Sequence, residues 1–150
     1  MTIITLPVSK GTYILILRLD EPAHLTIGKR GIFAFLAGWY AYVGSAFGPG
    51  GLRGRLKHHL APVIKPHWHI DYLRRAAPTR EIWYLVSETV YEHEWAAALA
   101  SRSHAAIPVP RFGASDCRCQ THLIHFPKPP DFAGFQDDTG QAVQRWYSGG

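Results

Sequence analysis

Gly11-Thr12-Tyr13-Ile14-Leu15-Ile16-Leu17-Arg18 runs β-branched and aliphatic almost without interruption, which predicts a strand buried on both faces. Moving outward, Pro22 and the glycines of 28–31 punctuate the chain and leave room for a short ribbon through His24-Leu25-Thr26-Ile27. Trp39-Tyr40-Ala41-Tyr42-Val43-Gly44 reads as a second strand. Its period of two sets Tyr40, Tyr42 and Gly44 on one face and Trp39, Ala41 and Val43 on the other. The turn Gly48-Pro49-Gly50-Gly51 then opens a helix whose Leu52, Leu56 and Leu60 recur every fourth residue. Arg53, Arg55, Lys57, His58 and His59 surround that apolar stripe.

Farther along, residues 69–76 read as a short helix ended by Pro78, and Glu81–Ser87 as a third strand. Thr89 followed three residues later by Glu92 has the form of a capping box and predicts a helix over 90–102. Thr121–Phe126 offers a short final strand. Pro127, Pro129 and Pro130 read as a linker to a polar and aromatic tail. The expected fold is α+β: a small central antiparallel three-stranded sheet flanked by helices over residues 1–126, with 127–150 as a C-terminal appendage.

The gross numbers agree with one folded domain. The chain has 150 residues, 47% hydrophobic and 13% aromatic, which excludes a disordered tail. Sixteen lysines and arginines against eleven acids leave a formal charge of +5, favouring a polyanionic partner. The two cysteines, Cys117 and Cys119, are one residue apart, too close for an unstrained disulfide. The first residues lack the basic and apolar regions of a signal peptide, and no segment reads as a membrane span. A cytoplasmic setting is the expectation.

Gly11-Thr12-Tyr13, followed after a spacer by Tyr42-Val43-Gly44-Ser45-Ala46, resembles the paired motifs of the GIY-YIG nuclease superfamily. Thr12 and Val43 depart from the usual middle residues of those motifs. Arg55-Leu56-Lys57-His58-His59 looks like the family's arginine-bearing helix, and His67 is placed like a histidine of some members. Glu94 looks like the metal-binding glutamate. Three further segments are similar to a branch of that superfamily treated as a domain of unknown function. They are Gly44–Leu52, His67-Trp68-His69-Ile70-Asp71-Tyr72-Leu73, and Phe112–Leu123 with its Ser-Asp-Cys-x-Cys-x-x-His-Leu run. The resemblance implies a divalent-metal-dependent endonuclease acting on DNA, RNA not excluded, at a branched, nicked or damaged structure.

Such chemistry needs charge stabilisation at phosphorus oxygens and a water made nucleophilic. Glu94 would hold one Mg2+ or Mn2+, and Arg55 would clamp the phosphate through its bidentate fork. Backbone amides of the turn at 48–51 would add an anion site at a helix N-terminus. Tyr42 would act as general base with Tyr13 in support. A free phenol of pKa about 10 is only about one part in a thousand ionised at neutral pH, so a nearby cation or a relay through His67 is needed. Arg53, Arg55, Lys57 and His58 would contact the nucleic-acid backbone. For each residue a bland alternative stands: a solvated helical glutamate, surface arginines, core tyrosines, a packing histidine.

Cys117, Cys119 and His122 have zinc-ligand chemistry, with His104, His125 or water as a fourth partner. Free thiols beside a strand are the favoured reading of that cluster. Two rivals to a nuclease remain. One is a non-catalytic nucleic-acid-binding module on the same fold. The other is an interaction protein whose aromatic tail, Phe132, Phe135, Trp146 and Tyr147, docks a partner.

Overall fold

The structure, a computed structural model, describes residues 5–114 and 118–147. Strand β1 (Gly11–Leu19) is buried along its whole length except at Arg18. Along the chain follow β2 (Ala23–Thr26), β3 (Ile32–Phe35), β4 (Gly38–Ala46), α1 (Gly51–Leu60), α2 (His69–Arg74) and β5 (Thr79–Val86). Then come α3 (Glu92–Ala100), β6 (Leu123–Phe126), α4 (Phe132–Thr139) and β7 (Gln144–Tyr147). One sheet runs β6-β4-β1-β5-β7 with every neighbouring pair antiparallel, and β2 and β3 form a separate ribbon. The fold is therefore α+β, as expected, but the sheet has five strands rather than three. The three strands read from the sequence, β1, β4 and β5, are neighbours in its middle.

The alternation of β1 and β4 divides the interior into two cores. Tyr13, Leu15, Leu17 and Tyr40 face Leu52 and Leu56 of α1 and Ile70 and Leu73 of α2. Ile14, Ile16, Ala41 and Val43 face Trp95 and Leu99 of α3 and Phe135 of α4. Helices thus cover both faces of β1, which is why its sequence shows no polar alternation.

The C-terminal appendage joins the same sheet. β7 pairs with β5, in register Glu81↔Tyr147 through Tyr84↔Gln144, and the Arg145 guanidinium binds the Glu81 carboxylate. Left bare, β5 would be an open edge that invites wrong pairing. Phe135 is fully buried, with ring centroids 5.5 Å from Trp83 and 5.2 Å from Trp95. The Trp146 indole, also buried, donates to Thr5 Oγ1 at 3.1 Å. Phe135 and Trp146 are therefore core residues, not a docking surface. The three prolines that read as a linker lead directly into α4, whose first turn is capped by Asp131 accepting from the Gly134 amide.

The helix expected over 90–102 begins later, at Glu92, and carries no side-chain cap. Thr89 instead bonds within a local turn, its amide donating to Ser87 Oγ at 2.9 Å. The Tyr91 amide donates to Thr12 Oγ1 on β1 at 3.1 Å. The sheet, rather than a side-chain cap, positions the start of α3. Among the described residues no helix is long and apolar enough to cross a membrane.

Two stability outcomes follow from this arrangement. Phe135→Ala should cost about 3–5 kcal/mol in denaturant unfolding. A chain ending at residue 126 should lose cooperative unfolding altogether. Cooperative melting of that shortened chain would restore the domain boundary that the prolines suggest.

Candidate active site

The two motif glycines have the same physical reason. Tyr13 on β1 stands opposite Gly44 on β4. A Cβ on Gly44 would fall inside van der Waals contact of the Tyr13 hydroxyl and ring. The missing side chain is what lets the Tyr13 phenol lie across the neighbouring strand. A Cβ on Gly11 would likewise run into the Leu85 carbonyl and the Leu52 side chain.

Laid down in this way, the Tyr13 hydroxyl reaches His59 Nε2 at 2.8 Å. His59 is 2% exposed, and burial, helped by the Arg74 charge, lowers its pKa to about 3. It is therefore a neutral imidazole. Its Nδ1 is buried with no partner among the described residues. A bare nitrogen lone pair in that position costs less than an orphaned N–H. This favours the proton on Nε2, donated to the Tyr13 oxygen.

The end of α1 that carries His59 is held by a buried ion pair. Asp71 is fully buried and Arg74 is 5% exposed. Burial would raise the Asp71 pKa, yet amide donors from Trp68 at 3.0 Å and His67 at 2.8 Å, with His58 Nε2 at 3.1 Å, outweigh it and leave it lowered. Arg74 reaches back to the carbonyls of Ala61 and His58, at 2.6 and 2.9 Å, and so helps satisfy the carbonyl end of α1. One carboxylate and one guanidinium thus lock α2 and the 67–68 segment onto α1. His58, His59 and Asp71 present ligand atoms within 4.8 Å of one another, but these groups already serve Tyr13 and the ion pair.

Arg55 lies one helical turn before His59 and so on the same side of α1. Its Nη1 donates to the Ser45 carbonyl at 3.0 Å, and the guanidinium stacks 4.7 Å from the Trp68 ring centroid. Burial pushes the Tyr13 phenol up to about 12, and the Arg55 charge and a hydrogen bond from it pull in the opposite direction. Burial drives Tyr42 higher still. The charges of Glu92 and Asp71 raise both phenols, and the Glu92 carboxylate lies 3.9 Å from His93 Nε2. Arg55 also borders a small recess with Gly48, Pro49, Gly54, His58 and Trp68.

Several expected site residues stand elsewhere. Glu94 is exposed, whereas the Glu92 side chain is 23% exposed, and its charge raises the pKa of both phenols. Successive helical residues diverge by about 100°, so the position beside Trp95 is not its side. Glu92, three residues before the buried Trp95, is on its side. His67 is exposed and packs edge-on against Trp68 at 4.3 Å, and its backbone rather than its imidazole binds Asp71. The histidine at Tyr13 is His59, whose signal was its spacing of four from Arg55. Arg53 Nε donates to the Leu6 carbonyl at 2.7 Å and His58 is bound to Asp71, while Lys57 is exposed. The amides of Leu52 and Arg53 are bonded to the carbonyls of Ser9 and Pro7, and that of Gly51 to Gly48. The N-terminus of α1 therefore offers no ready anion site.

In the Cys/His segment, Asp116 and Cys117 lie outside the described residues. Cys119 and His122 come together with His93 of α3. His125 is elsewhere, its Nε2 3.0 Å from the Ala37 carbonyl, and His104 borders a recess with Pro127 to Pro130.

The family model of the domain of unknown function DUF123 matches residues 12–144. The chain belongs to that family, and the match runs through α4 and into β7. No curated protein and no solved structure matches it.

The burial of neutral His59 has a pH signature. Its folded pKa of about 3 lies below the unfolded value of about 6.5. The unfolded state therefore binds the extra proton between those values, and stability falls as pH drops through that window. His59→Gln should remove about one proton's worth of slope, roughly 1.4 kcal/mol per pH unit, from unfolding free energies measured between pH 6 and pH 4. Equal slopes in the two proteins would show that His59 is not held neutral.

Proposed function

We propose that this DUF123 chain hydrolyses phosphodiester bonds in nucleic acid, DNA foremost, with one Mg2+ or Mn2+ held by Glu92 near the sheet end that carries Tyr13, Tyr42, Arg55 and His59. The observation that carries this reading is the grouping of the Tyr13 and Tyr42 phenols about His59, with Arg55 one helical turn away on the same side of α1. The motif resemblance to GIY-YIG nucleases supports it, and the positive formal charge suits a polyanionic substrate.

The donor set fits a hard cation. Glu92 supplies a carboxylate and the phenols supply neutral oxygens, and magnesium is content with few protein ligands. When bound, the cation supplies charge at the phosphorus oxygens and draws the phenols toward ionisation. Arg55, steadied by the Trp68 ring and the Ser45 carbonyl, would present its remaining N–H groups to the scissile phosphate. Tyr13 is the better proton-handling group, because Arg55 and His59 both bear on its oxygen and its pKa is lower than that of Tyr42. This exchanges the roles expected for the two tyrosines from the family resemblance.

A second reading, a non-catalytic nucleic-acid-binding module, has its own support. Both phenols titrate far above neutrality, so neither is a ready base. Under that reading binding would be salt-dependent and Glu92 dispensable.

Labelled single-stranded, duplex, nicked, flap and branched DNAs should be cut with Mg2+ or Mn2+ and spared with chelator. Arg55→Ala and Glu92→Ala should each lower the cleavage rate by about 100-fold or more, while Glu94→Ala cuts as wild type does. Loss of cutting in Glu94→Ala but not in Glu92→Ala would reverse the assignment of the carboxylate. Inert wild-type protein that still binds DNA would make the module reading the correct one.

A further inference from the structure

We infer that His93, Cys119 and His122 form a zinc site, supplying three ligands among the described residues, with the Glu92 carboxylate 3.9 Å from His93 Nε2 at its margin. One nitrogen from each imidazole and the Cys119 sulfur all lie within 4.8 Å of one another. Zn–N bonds of 2.0–2.1 Å and a Zn–S bond of 2.3 Å in a tetrahedron set ligand atoms about 3.5 Å apart. The three side chains therefore need to close by only about 1 Å, within reach of small rotamer adjustments.

The three residues come from two independently anchored pieces of backbone. His93 sits in the first turn of α3, where the adjacent Tyr91 amide is bonded to Thr12 on the central strand. Cys119 and His122 sit on a loop that is fastened at four points. Arg111 donates from its backbone to the Gln120 carbonyl at 2.6 Å and from Nη1 to the Cys119 carbonyl at 2.8 Å. The His122 amide donates to the Phe112 carbonyl at 2.7 Å, and Thr121 Oγ1 bonds the Val109 carbonyl at 3.2 Å. Ligands held on such a fastened loop are preorganised for a metal.

The donor chemistry selects the ion. Two imidazoles and a thiolate suit a borderline-soft transition metal and not the hard magnesium ion expected at Glu92. His93 is exposed, Cys119 half-buried and His122 buried, so the group opens to solvent on one side. A recess lined by Ala96, Ala97, Arg118 and Gln120 adjoins it there and gives a fourth ligand room to enter. Zinc at this position would tie the loop to α3 next to Tyr42, whose strand receives the His122 carbonyl through the Val43 amide at 2.9 Å.

Cobalt(II) titration of the full metal-free chain tests the site without any nuclease assay. Wild type should bind one cobalt per chain with a thiolate-to-cobalt charge-transfer band and the intense visible bands of tetrahedral cobalt. Zinc should displace it, and magnesium should not. Cys119→Ser should abolish the charge-transfer band. His93→Ala, at an exposed position that leaves the core intact, should weaken cobalt binding ~10-fold or more and remove the rise in Tm that zinc gives wild type. A band that persists in Cys119→Ser, or unchanged affinity in folded His93→Ala, would overturn the proposal. So would a wild-type spectrum with no thiolate band. The group formed by His58, His59 and Asp71 contains no sulfur and could not produce that band.

Discussion

The pairing of β1 with β4 in the register Tyr13↔Gly44 is the constraint from which the rest of the molecule follows. Strand side chains alternate with period two, so a slip of one residue would turn every one of them to the other face. Tyr13, Leu15 and Leu17 would then leave the α1 side, and Ile14 and Ile16 would leave the α3 side. The register is specified twice, by two apolar cores of different shape and by the Tyr13 ring lying over Gly44 where a Cβ would clash. With that pairing in place, one phenol lies flat on the neighbouring strand and the other, on Tyr42, is held beside Phe112 and His59.

The site is then completed from outside the sheet by a buried charge pair. Asp71 and Arg74 are removed from water at substantial desolvation cost, which is offset because nearly every polar atom of the pair finds a partner. What the pair secures is position. It seals the carbonyl end of α1, and α1 carries Arg55 and His59 toward Tyr13. Loss of either charge would leave the other buried and uncompensated, so the chemistry of the site and the stability of the helix end are linked.

The same burial sets the electrostatic character of the site. It keeps His59 neutral and raises both phenols, while Arg55 works against that rise at Tyr13. A site of this kind is quiet until positive charge arrives, because the groups that would carry protons are held in their neutral forms. The carboxylates of Glu92 and Asp71 both raise the two phenols, and Asp71 is already engaged with Arg74 and His58.

Much of this was legible in residue order. The doubly buried β1, the alternating faces of β4, the leucine stripe of α1 and the glycine motifs all report local periodicity or local sterics, which neighbouring residues determine by themselves. The glycines marked the site, although the reason for Gly44 is a ring thirty-one positions earlier in the chain. What the sequence left open was decided by packing between distant segments. Prolines at 127–130 read as a linker, yet they deliver Phe135 and Trp146 to the core, because an exposed β5 edge and a gap beside Trp83 and Trp95 are properties of the assembled sheet. Sequence spacing left open that Glu92 would open α3 without a side-chain cap and that Glu94 would be exposed, because both depend on the rotation of α3 against β1. His59 displaced His67, and His93 joined Cys119 and His122, for the same physical reason. Sequence spacing determines which residues share a face of one element, but only the register and rotation of elements against one another determine which faces meet.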